Sequence, residues 1–244
     1  MAESNVKSKT EKGKTNFPAP CGTDREHMAL KNLQLVTGDL EENCYLLWKD
    51  GQKDAIVFDP GDEAERIDAE LKKRGLTVVA FLQTHCHGDH IGALTPMKEK
   101  YPAAPIYCPG EEVDWLDRPT LNLSYFYGKP VTGPKPEKII RDGDLIEAAG
   151  FQLRAIHVPG HSPGGTAFFV DPGDGAPHLF CGDILFASGI GRTDLPGGSG
   201  EEVLVSGIQE KLFILPETTV VHPGHGPDTT IGEEKESNPF CGLG

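Results

Sequence analysis

Apolar and polar positions along this chain change period several times, and each change marks an element. Residues 33–36, 44–48 and 55–58 carry the short apolar runs of β-strands, the last two joined by a turn at Asp50-Gly51. Asp59-Pro60-Gly61 stops the third run. Ala64, Ile67 and Leu71 then recur at helical spacing, and Gly75 ends that helix. Residues 78–82 are apolar without interruption, the pattern of a strand covered on both faces. A polar cluster over 84–90 follows, and a helix is expected over about 91–100.

The stretch 110–136 is less regular, with Trp115, Tyr125, Phe126 and Tyr127 among prolines and glycines. Packing accounts for these aromatics as readily as substrate contact does. Strands are expected again over 151–158, 166–170, 179–181 and 218–221, with a helix over 201–211. This alternation of strands and helices predicts an α/β fold. Residues 57–61 and 179–183 each end a strand in a Gly and an Asp, a faint echo of internal duplication. Residues 1–27 lack apolar periodicity and are rich in Lys, Glu, Ser, Thr and Asn. Such a segment cannot bury enough surface to offset its ordering entropy, so a disordered extension is expected before a single domain over 28–244.

Composition narrows the picture. Among 244 residues, 37% are hydrophobic and 25% charged, ordinary proportions for a soluble globular protein. No run approaches the roughly 18–20 consecutive apolar residues of a membrane span. Lys7, Lys9, Lys12 and Lys14 precede no apolar segment, so no secretory signal is evident and a cytoplasmic location is expected. The net charge of −14 argues against a protein that grips nucleic acid by its phosphates. It leaves an anionic small molecule open as substrate, because bound cations reverse a local field. The six cysteines include no C-x-x-C pair, and buried free thiols are expected.

The chemistry concentrates in His85-Cys86-His87-Gly88-Asp89-His90. Imidazole nitrogen and carboxylate oxygen suit zinc, iron or manganese. His85 and His87 are two apart, so an extended chain turns both to one point, with Gly88 allowing a tight turn behind them. Asp89 and His90 then face a second point, and Cys86 faces away from the first. Three further candidates end apolar runs beside glycines: His161 in Pro159-Gly160-His161-Ser162-Pro163-Gly164-Gly165, Asp183 after Gly182, and His225 in Pro223-Gly224-His225-Gly226-Pro227. Loops at strand ends are where open α/β sheets place their sites. His222 competes with His225 but precedes a proline, which favours extended backbone.

Thr84-His85-Cys86-His87-Gly88-Asp89-His90 resembles the T-H-x-H-x-D-H signature of the metallo-β-lactamase superfamily, and the P-G-H-S-P-G, C-G-D and P-G-H-G-P motifs follow in that family's order. Through Gly189-Ile190-Gly191-Arg192-Thr193-Asp194 and Asn238-Pro239-Phe240 the chain is most similar to short glyoxalase II-like (hydroxyacylglutathione hydrolase-like) members. The resemblance implies a four-layered αβ/βα sandwich over about residues 30–240. It implies that His85, His87 and His161 hold one divalent metal ion, that Asp89, His90 and His225 hold a second, and that Asp183 bridges them.

Two such ions, zinc foremost with iron or manganese also suited, acidify a shared water toward a pKa of ~7. On the same resemblance the hydroxide would attack a carbonyl, with Asp89 and Asp183 as the catalytic carboxylates that fix the metals and orient it. No G-x-S-x-G elbow competes for that role. The substrate implied is a thioester of the S-lactoylglutathione type. Longer glyoxalase II proteins contact glutathione through a C-terminal helical region, whereas 19 residues follow His225 here. Recognition of the thiol half is therefore expected from the 110–136 stretch or the Arg192 loop. A mono-iron persulfide dioxygenase-like oxidoreductase, a lactonase and a phosphodiesterase share the fold and stay open as alternatives.

Overall fold

A computed structural model describes residues 29–244, so the expectation for residues 1–27 lies outside the described residues. The first half supplies β1 (Leu30–Thr37), β2 (Glu42–Lys49), β3 (Asp54–Phe58), α1 (Ala64–Arg74), β4 (Thr77–Leu82), α2 (Gly88–Ile91), α3 (Leu94–Lys100), β5 (Ile106–Pro109) and β6 (Lys138–Ile140). The second supplies β7 (Leu145–Ala148), β8 (Phe151–His157), β9 (Thr166–Val170), β10 (His178–Gly182), β11 (Leu185–Phe186), β12 (Gly189–Ile190), α4 (Glu201–Gly207), β13 (Val220–Pro223), β14 (Thr229–Thr230) and α5 (Ile231–Ser237). Strands pair as one six-stranded sheet in the order β1-β2-β3-β4-β5-β6 and another in the order β14-β13-β10-β9-β8-β7, with β11 and β12 as a small separate hairpin.

Three apolar layers hold these parts. Between the sheets lie Tyr45, Leu47, Ile56 and Phe58 from one side and Phe168 and Phe180 from the other. The Phe58 and Phe180 rings stack at 4.2 Å, so the two central strands meet face to face. Outside the first sheet, Ile67 and Leu71 of α1 and Leu94 and Met97 of α3 cover Val57, Val78 and Phe81. Outside the second, Leu204 of α4 with Ile208 and Leu212 covers Leu179 and Val221. Each fully buried Leu, Ile or Phe stabilises this arrangement by roughly 1.5–3 kcal/mol. Helix, sheet, sheet, helix is the metallo-β-lactamase fold that the motifs implied.

The echo between the halves has a structural counterpart. β3 is antiparallel to β2 and parallel to β4, and it leads into Asp59 just as β10 leads into Asp183. β10 is antiparallel to β9 and parallel to β13.

Several boundaries differ from the sequence reading. The helix expected over 91–100 is two pieces, α2 and α3, and it starts at Gly88 inside the histidine motif. The break at Gly92 lies where the chain presses on the 60–61 turn; a Cβ there would collide with the Gly61 carbonyl, and Ala93 N–H bonds Pro60 O at 2.9 Å. Gly88 is helical and takes no turn conformation. It is glycine because a Cβ would lie 2.6 Å from Ser124 Cβ. The expected 201–211 helix is α4 followed by a wider turn over Ile208–Leu212. β5, β6 and β7 are too short to show a period, and only their neighbours in the sheet make them strands.

Candidate metal centre

The four loops singled out by sequence meet at one end of the two sheets. β4 leads into residues 84–90, the turn between β8 and β9 carries His161, β10 runs into Asp183, and β13 runs into His225. His85 Nε2 lies 3.0 Å and His161 Nε2 2.9 Å from His87 Nδ1, and all three rings are buried. Nitrogens bound tetrahedrally at 2.0–2.1 Å to one zinc ion sit about 3.3 Å apart, so this spacing fits a shared cation. Asp89, His90 and His225 form a second group whose ligand atoms lie within 4.8 Å of one another. Asp183 stands between the groups. Its Oδ2 is 3.5 Å from His161 Nε2 and 3.7 Å from His225 Nε2, and its Oδ1 is 3.5 Å from His90 Nε2. The structure thus brings all seven predicted residues together.

Hydrogen bonds around the rings set which nitrogen faces inward. The Arg192 carbonyl can only accept, so His161 donates its Nδ1–H at 2.8 Å and keeps the Nε2 lone pair for the centre. Thr84 gives its hydroxyl proton to Asp59 at 2.5 Å, which leaves its oxygen to accept His85 Nδ1–H at 3.1 Å. His85 Nε2 therefore also points its lone pair inward. His90 Nδ1–H donates to Asp59 Oδ2 at 3.1 Å, turning Nε2 toward Asp183. His90 Nε2 and Asp183 Oδ1, both on the inner face of the centre, are buried with no hydrogen-bond partner, as expected of a donor set that suits a cation.

Charge follows the same plan. Burial pushes His85 well below the usual imidazole range, with His90 and His87 pushing the same way, and burial with His161 takes His87 down to about 3. Both stay neutral, the form that ligates a metal. Burial would also lower His90, but Asp183 and Asp89 outweigh it and raise that ring well above its ordinary value. Burial alone would raise Asp183, yet His90, His161 and His85 hold it well below the carboxylate range. The pocket around His90 Nε2 and Asp183 favours positive charge, whether a proton or a metal ion.

Other candidates are placed elsewhere. His222 points away from the centre: its Nε2 is 2.8 Å from His178 Nδ1 and 3.1 Å from Asn32 Nδ2, and its Nδ1 faces Asp228 at 3.0 Å. His157 lies 2.9 Å from the Pro163 carbonyl. Cys86 points into the core, 3.5 Å from Cys108 Sγ, and the five described cysteines are free and buried. His27 and Cys21 lie outside the described residues.

Sequence reasoning missed the supporting residues. Asp59 orients Thr84 and His90, and Glu42 is a buried acid 3.9 Å from His90. Asn43 Nδ2 donates to the Pro223 and Gly226 carbonyls at 3.0 and 2.9 Å, fixing the His225 turn on β2. The strand-ending Asp59-Pro60-Gly61 was visible as a stop, and its likeness to Cys181-Gly182-Asp183 was the available signal. Beside Asp89 opens a cavity of about 580 Å³ lined by Thr37, Leu40, Ser124, Tyr127, Lys129 and Val131, and a second of about 400 Å³ contains the ligand face itself, with Tyr127, Leu40 and Arg192 at its edge. Arg192 forks onto Asp194 at 2.8 and 2.9 Å, so its tie to the centre runs through its carbonyl. No helix among the described residues is long and apolar enough to cross a membrane.

Comparison with known proteins points to one family. The chain is 40% identical over 212 residues to the probable metallo-hydrolase YqgX of Bacillus subtilis, covering 86% of this chain and 97% of that one. It is 37% identical to the hydroxyacylglutathione hydrolase GloC of Haemophilus influenzae, over 82% of this chain and 92% of that protein. Among solved structures it is similar to the BLEG-1 B3 metallo-beta-lactamase, with a TM-score of 0.82, 39% identity, and coverage of 88% and 100%. TTHA1623, solved in a di-iron-bound form, gives 0.71 and 36% over 85% and 99%. The family model of the metallo-beta-lactamase superfamily matches residues 37–225, a span from the end of β1 to the last histidine of the centre, and the chain belongs to that superfamily.

Proposed function

We propose that this protein is a thioester hydrolase of the hydroxyacylglutathione hydrolase type, working with two divalent metal ions, zinc foremost. The approach of His85 Nε2 and His161 Nε2 to within 3.0 and 2.9 Å of His87 Nδ1 carries the reading, because inward-facing lone pairs so close need a shared cation. On this reading those three residues would hold one ion and Asp89, His90 and His225 the other, with Asp183 within reach of both groups. Bound metal ions supply a water acidified toward neutral pH and polarisation of the substrate carbonyl.

The protein's own groups do the rest. Asp89 and Asp183 would balance the metal charge and accept hydrogen bonds from the attacking water, fixing its direction. Burial of the three-histidine face limits bulk water. The cavity over the ligand face and the one beside it, which share Leu40 and Tyr127, leave space for the two halves of a thioester. The relative named as a hydroxyacylglutathione hydrolase supports the thioester. A second reading, a β-lactam amide as substrate, has the support of the neighbour described as a B3 metallo-beta-lactamase. Iron in place of zinc is supported by the di-iron-bound neighbour.

The test is hydrolysis of S-lactoylglutathione by protein of known metal content, beside a β-lactam, a lactone and a persulfide with oxygen uptake recorded. Chelator-sensitive thioester turnover with kcat/KM above ~10⁴ M⁻¹s⁻¹ is expected. Faster turnover of another substrate, or oxygen uptake with one bound iron, would replace the reading.

A further inference from the structure

Glu112 lies in the helical turn that follows β5 (Gly110–Trp115) and is completely buried, on the core side of the centre and away from the reacting face. Its two oxygens serve two different loops. Oε2 accepts Cys86 N–H at 2.6 Å, and Cys86 sits between His85 and His87. Oε1 accepts Gly164 N–H at 2.6 Å, three residues beyond His161. The Ser162 side chain lies against the same carboxylate. Gly164 is shaped for this approach, since a Cβ there would stand 2.9 Å from both Cγ and Oε1 of Glu112. A carboxylate is costly to bury, and an apolar side chain would fill the space without that cost. What the carboxylate adds is a rigid, two-pronged link of fixed length between loops from opposite sheets. One other backbone bond, Thr166 N–H to Thr84 O at 2.9 Å, joins the same loops.

We propose that Glu112 is a positioning residue for the three-histidine site, setting the distance between the His85–His87 pair and His161 and so that site's affinity for a metal ion. The site of Asp89, His90 and His225 is held by other groups, Asp59 and Asn43 among them, and is independent of Glu112. This rests on the two-site reading of the ligands given above. It does not depend on the identity of the substrate.

The variant is Glu112→Gln, which keeps the shape but can serve only one of the two N–H groups and sets its own NH₂ against the other. Zinc alone is titrated against a chromophoric chelator in two backgrounds. His225→Ala leaves the three-histidine site whole, and His161→Ala leaves the other site whole. In the first background Glu112→Gln is expected to weaken zinc about tenfold or more. In the second the change stays within about twofold. Gly164→Ala, which displaces the carboxylate from the opposite side, gives the same selectivity. Circular dichroism and thermal unfolding of the metal-free variants are read alongside. Equal weakening in both backgrounds, no weakening in either, or loss of fold in both metal-free variants would overturn the proposal. A wild-type chain that binds fewer than two zinc ions would instead overturn the two-site reading itself.

Discussion

Replacing Asp59 by asparagine removes one charge and almost no volume. The φ of Asp59 is 42°, in the left-handed region that asparagine tolerates, so the backbone has no reason to move. In the native protein one oxygen accepts Thr84 N–H at 2.7 Å, and the other accepts the Thr84 hydroxyl at 2.5 Å and His90 Nδ1–H at 3.1 Å. An amide that keeps its oxygen toward Thr84 N–H places NH₂ where two donors already point. The Thr84 hydroxyl must then turn and accept from it, so that it no longer serves His85 Nδ1–H alone. His90 must give up its Nδ1 proton and carry it on Nε2, the nitrogen that faces Asp183. One substitution therefore disturbs the inward lone pairs of two predicted ligands. Metal affinity is expected to fall about 10–100-fold, equivalent to about 1.4–2.7 kcal/mol, with the greater loss at the site of His90. Zinc competition with a chromophoric chelator measures this, and unfolding of the metal-free protein checks that the fold survives. A folded Asp59→Asn protein that binds both ions with wild-type affinity would refute the account of how the rings are oriented.

Two further outcomes test the packing of Gly88 and the ion pairing of α1. Gly88→Ala puts a methyl group 2.6 Å from Ser124 Cβ and strains the 2.7 Å bond from Gly88 N–H to Asn122 O; a loss of about 1–3 kcal/mol is expected in urea unfolding of the metal-free protein, and an unchanged midpoint would count against close packing there. Burial pushes the Asp68 carboxyl up, but hydrogen bonds from Lys72 at 2.7 Å and Tyr101 at 2.8 Å outweigh it and hold the pKa below the usual value. A lowered folded pKa stabilises fully above the unfolded value of ~3.9 and is lost as pH falls through the folded one. Asp68→Asn should therefore cost ~1 kcal/mol at pH 7, with the gap to wild type closing below about pH 4, whereas a gap of equal size at pH 3 would contradict this.

The centre was legible because its donors are crowded into one loop and because the remaining three end apolar runs beside glycine. Such residues need no tertiary information to be noticed. The residues that hold them were hidden for the opposite reason. Asp59, Glu42 and Glu112 carry no motif of their own, the two glutamates each following another glutamate, and their burial follows from the facing of two sheets, which no local pattern encodes. Gly88 was read for conformational freedom when the constraint was steric, imposed by Ser124 from a stretch with no clear period. α5 was missed although Thr230 and Glu233 carry a capping signal, Glu233 N–H donating to Thr230 Oγ1 at 3.1 Å; Ile231 is the one apolar residue of that helix, too few to show periodicity.

Both proposed ligand sets draw from the two halves of the chain. His85 and His87 join His161 across 74 residues counted from His87, and Asp89 and His90 join His225 from the loop after β13. Bound ions would therefore act as cross-links as well as reagents, clasping the sheets at the end where the loops are long. By mass action, free metal at 100 times its dissociation constant adds about 2.7 kcal/mol to the stability of the folded state for each site. The lifetime of the folded protein would then follow the metal supply of its surroundings, and starvation for metal would remove the molecule along with its activity.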